Sequence, residues 1–138
     1  MPINRAMPNC TVIPELAYQD VRAAAEWLCQ AFGFVQRLQI GGHRVQITIG
    51  DGAMVVTEQS GAPSPDAYAT HAVMVRVPDV DAHHAQAVTA GARVLGAPTT
   101  YPYGERQYSA VDLAGHRWTF SQSISDVDPA TWGGKLLE

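Results

Sequence analysis

Apolar and polar positions alternate along the stretch 101–122, and the alternation predicts two strands. The runs 108–113 and 116–121 each have a period of two, and the Ala-Gly pair between them suits a tight turn. One side of this β-hairpin carries Trp118 and Phe120 and needs a hydrophobic partner such as a helix. The other side offers hydroxyl groups and a guanidinium. We therefore expect the hairpin to present a ligand-facing surface.

The order of elements predicts an internal repeat. In the first half, a strand at 11–18 leads to Asp20, which can cap a helix that ends at Gly33. Three short strands follow, separated by Gly-Gly and Asp-Gly turns. In the second half, a strand at 72–77, a helix that stops at Gly91, a further strand and the hairpin repeat this order. Each half is therefore predicted to be a βαβββ module.

The predicted modules belong to one domain, 1–138. The first module covers 11–59, a Ser- and Pro-rich linker covers 60–69, the second module covers 70–122, and a tail covers 123–138. Each module alone is too small to bury both faces of its sheet, so the two should combine around a shared concave surface. We predict an α+β fold in which two tandem βαβββ modules form a concave mixed sheet with helices on its outer face.

Composition narrows the classes of partner. Hydrophobic residues make up 46% of the chain and charged residues only 16%, which indicates a globular protein with a substantial core. The net charge is -4 without any basic cluster, so we expect neither nucleic acid nor a membrane as a partner. The start of the chain lacks the features of a signal peptide, which favours a cytoplasmic protein. Cys10 and Cys29 are interpreted as reduced structural thiols.

The predicted inner surface combines apolar area with polar groups, as small-molecule sites do. Aromatic stacking and a few hydrogen bonds would hold a planar ligand there. Glu15 and Glu58 are candidates for an acid/base pair, with solvated carboxylates as the alternative. His83 and His84 are interpreted as a solvated helix face. The predicted ligand-binding residues are Glu15, Met54, Val56, Glu58, Met74, Arg76, Tyr101, Tyr103, Arg106, Tyr108, Arg117 and Thr119.

Several motifs are shared with one superfamily. The helix sequence AAAEWLCQAFGF, the segments VPDVD and GARV on either side of the second helix, and YGERQY followed by DLAGHRW resemble the vicinal oxygen chelate superfamily. The resemblance covers residues 12–122. This superfamily contains glyoxalases, bleomycin-resistance proteins, fosfomycin-resistance proteins and extradiol dioxygenases. The resemblance implies paired modules around a concave site, and because such proteins commonly pair, it also implies a homodimer.

The resemblance also implies where a metal would be held. Metal-dependent members place His, Gln or Glu on the first and last strands of each module. The matching positions in this sequence are Ile13, Val56, Ala72 and Thr119. None of these side chains binds a metal strongly, so we expect no metal and no other cofactor. A placement shifted along the strands gives an alternative metal site, formed by Glu15, Glu58 and His71.

These observations favour a metal-free protein that binds and sequesters a small molecule, similar to bleomycin-resistance proteins, with a drug or antibiotic as a candidate ligand. Net acidity with Glu15 and Glu58 favours a cationic ligand, whereas Arg76 and Arg106 are compatible with a ligand that carries an anionic group. The alternative is a metal-dependent enzyme of the glyoxalase or dioxygenase kind, so enzymatic activity is left open. A third hypothesis is a dimeric structural or regulatory module without a ligand.

Overall fold

The computed structural model describes residues 4–59 and 71–137, which form two modules of mixed helix and strand. The first module consists of β1 (Glu15–Tyr18), α1 (Val21–Phe32), β2 (Val35–Ile40), β3 (Arg44–Ile49) and β4 (Gly52–Glu58). The order βαβββ predicted for this half is therefore confirmed. The predicted linker at 60–69 lies outside the described residues.

The second module repeats this order with one strand divided in two. Its elements are β5 (Val73–Arg76), α2 (Val80–Thr89), β6 (Arg93–Val94), β7 (Thr99–Thr100), β8 (Glu105–Val111) and β9 (Arg117–Ser123). Both β6 and β7 pair with β8, so together they take the place of a single strand. The tail contains a 3₁₀ turn, Pro129–Trp132.

The strands form two sheets within the described part of the chain, one for each module. The strand order is β1-β4-β3-β2 in the first sheet and β5-β9-β8-β6 in the second, with β7 also on β8. The first and last strands of each module pair in parallel, and the other pairs are antiparallel. The α+β class and the tandem modules are thus confirmed, although the strands form two sheets instead of one continuous sheet.

The two helices pack against each other and against their own sheets. Each sheet therefore has a helix-facing side that belongs to the shared core and an opposite side. The sequence prediction used the term outer face for the side with the helices; in the structure, the outer face of a sheet is the side opposite its helix. The core joins the modules because Phe32 at the end of α1 contacts both Trp118 and Phe120 of β9. No helix in the described ranges has the length and apolar character needed to cross a bilayer.

Local sequence explains the limits of α1. Asp20 has an extended backbone, and its carboxylate accepts a hydrogen bond from the Ala23 amide, which caps the helix start. Gly33 ends the helix in the left-handed region at φ +77°, where glycine carries no steric cost. The buried stripe recurs at three- and four-residue spacing, as expected for a helix that covers a sheet. It consists of Val21, Ala24, Ala25, Leu28, Ala31 and Phe32.

A buried carboxylate connects the modules at the β8–β9 turn. Asp112 accepts hydrogen bonds through Oδ2 from the Tyr18 hydroxyl at 2.5 Å and from the Trp118 indole nitrogen at 3.0 Å. Its Oδ1 accepts from the backbone amides of Ala114 and His116, both at 3.0 Å. Tyr18 belongs to β1, so this carboxylate joins the first strand of one module to the hairpin of the other.

Removal of the Asp112 carboxylate should destabilise the fold strongly, because it leaves the buried Tyr18 hydroxyl and the Trp118 N–H without an acceptor. We expect Asp112→Ala to lower the free energy of unfolding by about 3 kcal/mol, measured by urea denaturation. Asp112→Asn keeps one acceptor oxygen and should lose less. The matched control Asp126→Ala, at an exposed carboxylate of the tail, should change stability by less than about 0.5 kcal/mol. Equal stability of Asp112→Ala and wild type would contradict this role.

Candidate functional site

A cavity of about 600 Å³ lies on the outer face of the second sheet. Ser109 and Thr119 face each other across β8 and β9 and share a hydrogen bond of 2.9 Å between their hydroxyl oxygens at its floor. Met74 of β5 lines it beside Thr119 and is 64% exposed. The segment 95–103 forms the opposite wall. The volume and the mixture of apolar and polar groups are suited to a small organic molecule.

Two tyrosines form an aromatic wall of this cavity. The rings of Tyr101 and Tyr103 are nearly parallel, with planes 3° apart and centroids separated by 5.3 Å. Trp132 of the tail meets Tyr103 edge-on at 5.7 Å. Such offset-stacked and edge-to-face arrangements are the preferred geometries of aromatic pairs. Because Tyr101 remains 39% exposed, this wall can accept a further planar group.

The turn that holds the two tyrosines depends on Gly104. Its φ is +85°, and a Cβ at this position would lie 2.2 Å from the carbonyl oxygen of Ser125. Its amide donates to the Tyr101 carbonyl at 3.1 Å, and its carbonyl accepts from the Ile124 amide at 2.8 Å. Only glycine satisfies both the backbone conformation and this close approach. The turn therefore fixes the aromatic wall relative to the strands.

A row of polar side chains continues from the aromatic wall across the sheet. The Tyr103 hydroxyl donates to Gln107 Oε1 at 3.1 Å, and Gln107 Nε2 donates to Ser121 Oγ at 3.0 Å. Ser121 Oγ in turn donates to Glu105 Oε1 at 2.7 Å. This hydrogen bond lowers the pKa of the Glu105 carboxyl, with a further contribution from the positive charge of Arg76. The row holds Tyr103 and Gln107 in place and so orders the polar floor of the cavity.

The outer face of the first sheet is covered by residues near the start of the chain. Gln46 is 2% exposed, and its Nε2 donates to the carbonyl of Ala6 at 2.8 Å. Arg37 donates to Gln46 Oε1 and, at 2.8 Å, to the carbonyl of Arg5. Pro8 is buried in the same segment. Among the described residues, the two outer faces are therefore unlike: this segment covers the first, and the second carries the cavity.

His83 lies behind the second sheet, not on a solvated helix face. Its Nε2 is 2.8 Å from the carbonyl oxygen of Phe32, and its Nδ1 is 2.6 Å from the hydroxyl of Tyr108. A carbonyl can only accept, so Nε2 carries the proton and Nδ1 accepts from Tyr108. The ring also contacts Phe120 at 4.1 Å between centroids. His83 thus ties α2 to α1 and β8, which corrects the interpretation from sequence.

The structure divides the predicted ligand-binding residues into separate groups. Five of them line the cavity on the second sheet together with the buried Tyr108, and these five are Met74, Tyr101, Tyr103, Arg117 and Thr119. Arg76 lies on the same face but borders another cavity, of about 400 Å³, between the modules. Glu15 lies on the first sheet, where it forms an ion pair with Arg44.

The remaining predicted residues point away from either outer face. Met54 and Val56 are 1% and 0% exposed in the core, and Glu58 pairs in register with the buried Tyr18. Arg106 forms an ion pair with Asp81, in the first turn of α2. The prediction placed Glu15, Val56 and Glu58 on one ligand-facing side, but Glu15 lies opposite Val55 in the β1–β4 pair and so shares a face with Val55. A shift of one residue exchanges the two faces of a strand. Tyr108 is also turned inward, at 3% exposure.

Gln107 and Ser109 are among the lining residues that were not singled out in the sequence. Gln107 was missed because the predicted strand began at Tyr108, whereas β8 begins three residues earlier at Glu105. Ser109 lay within the predicted strand, on its hydroxyl-bearing side, but was not selected. The alternation itself contains the signal: once the strand is extended backward, Gln107, Ser109 and Val111 share one face and Tyr108 and Ala110 the other.

The described residues do not fit the metal site that metal-dependent members of the resembled superfamily use. They contain no group of three or more His, Cys, Asp or Glu side chains placed to hold a metal ion. Two members of the shifted alternative, Glu15 and Glu58, are three positions apart in register on the first sheet and so point to opposite faces. Glu15 is moreover engaged by Arg44. The donor set proposed from the sequence therefore does not converge.

Comparisons with known proteins agree with the fold. The model of the Glyoxalase/Bleomycin resistance protein/Dioxygenase superfamily matches residues 6–120. The chain belongs to this superfamily. TioX from Micromonospora sp. ML1, known from its crystal structure, is 31% identical with a TM-score of 0.69, over 86% of this chain and 100% of TioX.

Two further relatives are more distant. A glyoxalase/bleomycin resistance protein from Streptomyces sp. CB03234 has 23% identity and a TM-score of 0.65, over 80% of this chain and 97% of that structure. An uncharacterised protein of Mycobacterium bovis is 26% identical over 83% of this chain and 84% of its own length. At this level of identity, the Streptomyces structure supports the fold alone.

Stability should depend on pH through His83. Burial lowers the pKa of His83, and this outweighs the opposing effect of its hydrogen bond to the Phe32 carbonyl. As the pH falls, the unfolded chain therefore binds this proton at a higher pH than the folded protein does, so stability should fall as the pH drops below about 6.5.

Unfolding free energies at pH 7.5 and pH 5.5 measure this loss, and His83→Gln should reduce the difference between the two pH values relative to wild type. The control His43→Gln, at an exposed position, should keep the full difference. The same loss in His83→Gln as in wild type would contradict the assignment.

Proposed function

We propose that this protein binds and sequesters a planar small molecule on the outer face of the second sheet, in the manner of bleomycin-resistance proteins. The observation that carries the proposal is the stacked pair Tyr101 and Tyr103 at the wall of a cavity of about 600 Å³. A rigid aromatic wall provides stacking area at little cost in conformational entropy. The proposal does not require a bound cofactor.

The rest of the cavity supports a binding role. Met74 and Leu95 supply flexible apolar area, and the hydroxyl pair Ser109 and Thr119 supplies directional hydrogen bonds. Because Gln107 is already held between Tyr103 and Ser121, these polar groups lose little freedom when a ligand binds. The arrangement is suited to retention of a molecule in a fixed orientation.

We also propose that two copies of the chain form a homodimer that covers this face. Met74 and Leu95 are 64% and 46% exposed, and Leu113 and Trp132 are 52% and 44% exposed. A second copy would remove this apolar area from water and close the open side of the cavity. Sedimentation velocity tests the dimer directly, and a monomer at micromolar concentration would overturn it.

The aromatic wall gives a direct test of binding. Tyr101→Ala should weaken the binding of a neutral planar probe, 2-naphthamide, about fivefold, because stacking of one ring contributes about 1 kcal/mol. Isothermal titration calorimetry measures this change. Tyr101→Phe keeps the ring and is the matched control, with an expected affinity close to that of wild type. Equal affinities for Tyr101→Ala and wild type would contradict the proposed site, as would failure of the wild type to bind planar probes of any charge.

A further inference from the structure

Among the described residues that line the cavity on the second sheet, Arg117 is the only charged one. Its side chain is exposed, and in the described part of the chain it forms no hydrogen bond or ion pair. Pairing of β9 with β8 sets Arg117 opposite Val111, two positions from Thr119 at the cavity floor. An unpaired guanidinium therefore lies at one end of the cavity.

Three other charged side chains of the hairpin are already engaged. Arg106 donates through Nε and Nη2 to the carboxylate of Asp81 at 3.0 to 3.3 Å, so it is not available to a ligand in the cavity. Glu105 accepts from Ser121 and lies near the positive charge of Arg76. Asp112 is buried on the helix side of the hairpin turn. No carboxylate in the described residues therefore opposes Arg117 inside the cavity.

The local charge thus differs in sign from the charge of the whole chain. The net charge of -4 favours a cation only at long range, and salt screens such interactions beyond about 8 Å at physiological ionic strength. Within the cavity, a ligand meets the guanidinium of Arg117 directly. Strand pairing also places Arg93 opposite Val111. A second positively charged residue therefore lies on the outer face of the second sheet.

We propose that the cavity selects planar compounds that carry a carboxylate, with the ring system against Tyr101 and the carboxylate on Arg117. This inference rests on the proposed binding function and specifies its ligand class. A guanidinium binds a carboxylate through two parallel hydrogen bonds, which orients the ligand as well as attracting it. The hydroxyls of Ser109 and Thr119 lie between the two ends and can donate to a ring substituent. The expected ligand is therefore an acid, and not the cation that the composition of the chain favours.

Three probes of the same shape test the inference: 2-naphthoate, 2-naphthamide and 2-naphthylmethylammonium. With the wild-type protein, we expect 2-naphthoate to bind about tenfold more tightly than 2-naphthamide, and the ammonium compound to bind most weakly, measured by isothermal titration calorimetry. Arg117→Gln should weaken the binding of 2-naphthoate, so that its affinity comes within about threefold of that of 2-naphthamide. The matched control Arg22→Gln, at an exposed residue of α1, should retain the tenfold preference.

The outcomes separate the inference from the function on which it rests. Binding of 2-naphthamide or the ammonium compound as tightly as 2-naphthoate would overturn the acid preference and leave the binding function standing. An unchanged preference in Arg117→Gln would overturn the role of this residue. Absence of binding for all three probes would overturn both proposals. Circular dichroism of each variant shows whether the fold is retained. In size-exclusion chromatography, an equal elution volume for Arg117→Gln and wild type shows that altered assembly does not cause the change in affinity.

Discussion

Asp112 lies at the turn of the second-module hairpin and accepts hydrogen bonds from both modules. Its two oxygens accept from Tyr18 of the first strand, from Trp118 of the last strand, and from two amides of the turn itself. A buried carboxylate is costly unless donors of this kind surround it. Because these donors come from both ends of the chain, the carboxylate fixes the orientation of one module relative to the other.

That orientation decides which surfaces are available to a ligand. With the helices and aromatic side chains turned inward, each sheet presents its opposite face outward. On the first sheet this face is covered through Gln46 and Arg37 by the segment near the start of the chain. On the second sheet it carries the stacked tyrosines, the hydroxyl pair and Arg117, which has no partner among the described residues. The two halves share one architecture, and among the described residues the second presents an open cavity on its outer face.

Periodicity in the sequence predicted the parts of the fold that are local. The stripe of α1, its Asp20 cap and its Gly33 end follow from helical spacing and backbone chemistry, and all three were predicted correctly. The hairpin was predicted with Trp118 and Phe120 inward, because strict alternation leaves only two choices of face. Local patterns of this kind need no knowledge of distant residues.

The features that sequence reasoning missed depend on pairing between distant segments. Val56 was placed on the ligand side because nothing local reveals that Glu15 pairs with Val55. Arg106 and His83 appeared available to solvent or ligand, but Asp81, Tyr108 and the carbonyl of Phe32 engage them. Such partners are separated by 25 residues or more in the chain, beyond the reach of any periodic pattern.

The central claim is that the outer face of the second sheet is the binding surface. Amide chemical shifts recorded by NMR during titration with 2-naphthoate test it most directly, because they locate the ligand independently of affinity. The account predicts the largest changes in the segment 95–103 and at Ser109, Arg117 and Thr119. Changes concentrated on the first sheet, or in the cavity beside Phe34 and His83, would contradict it.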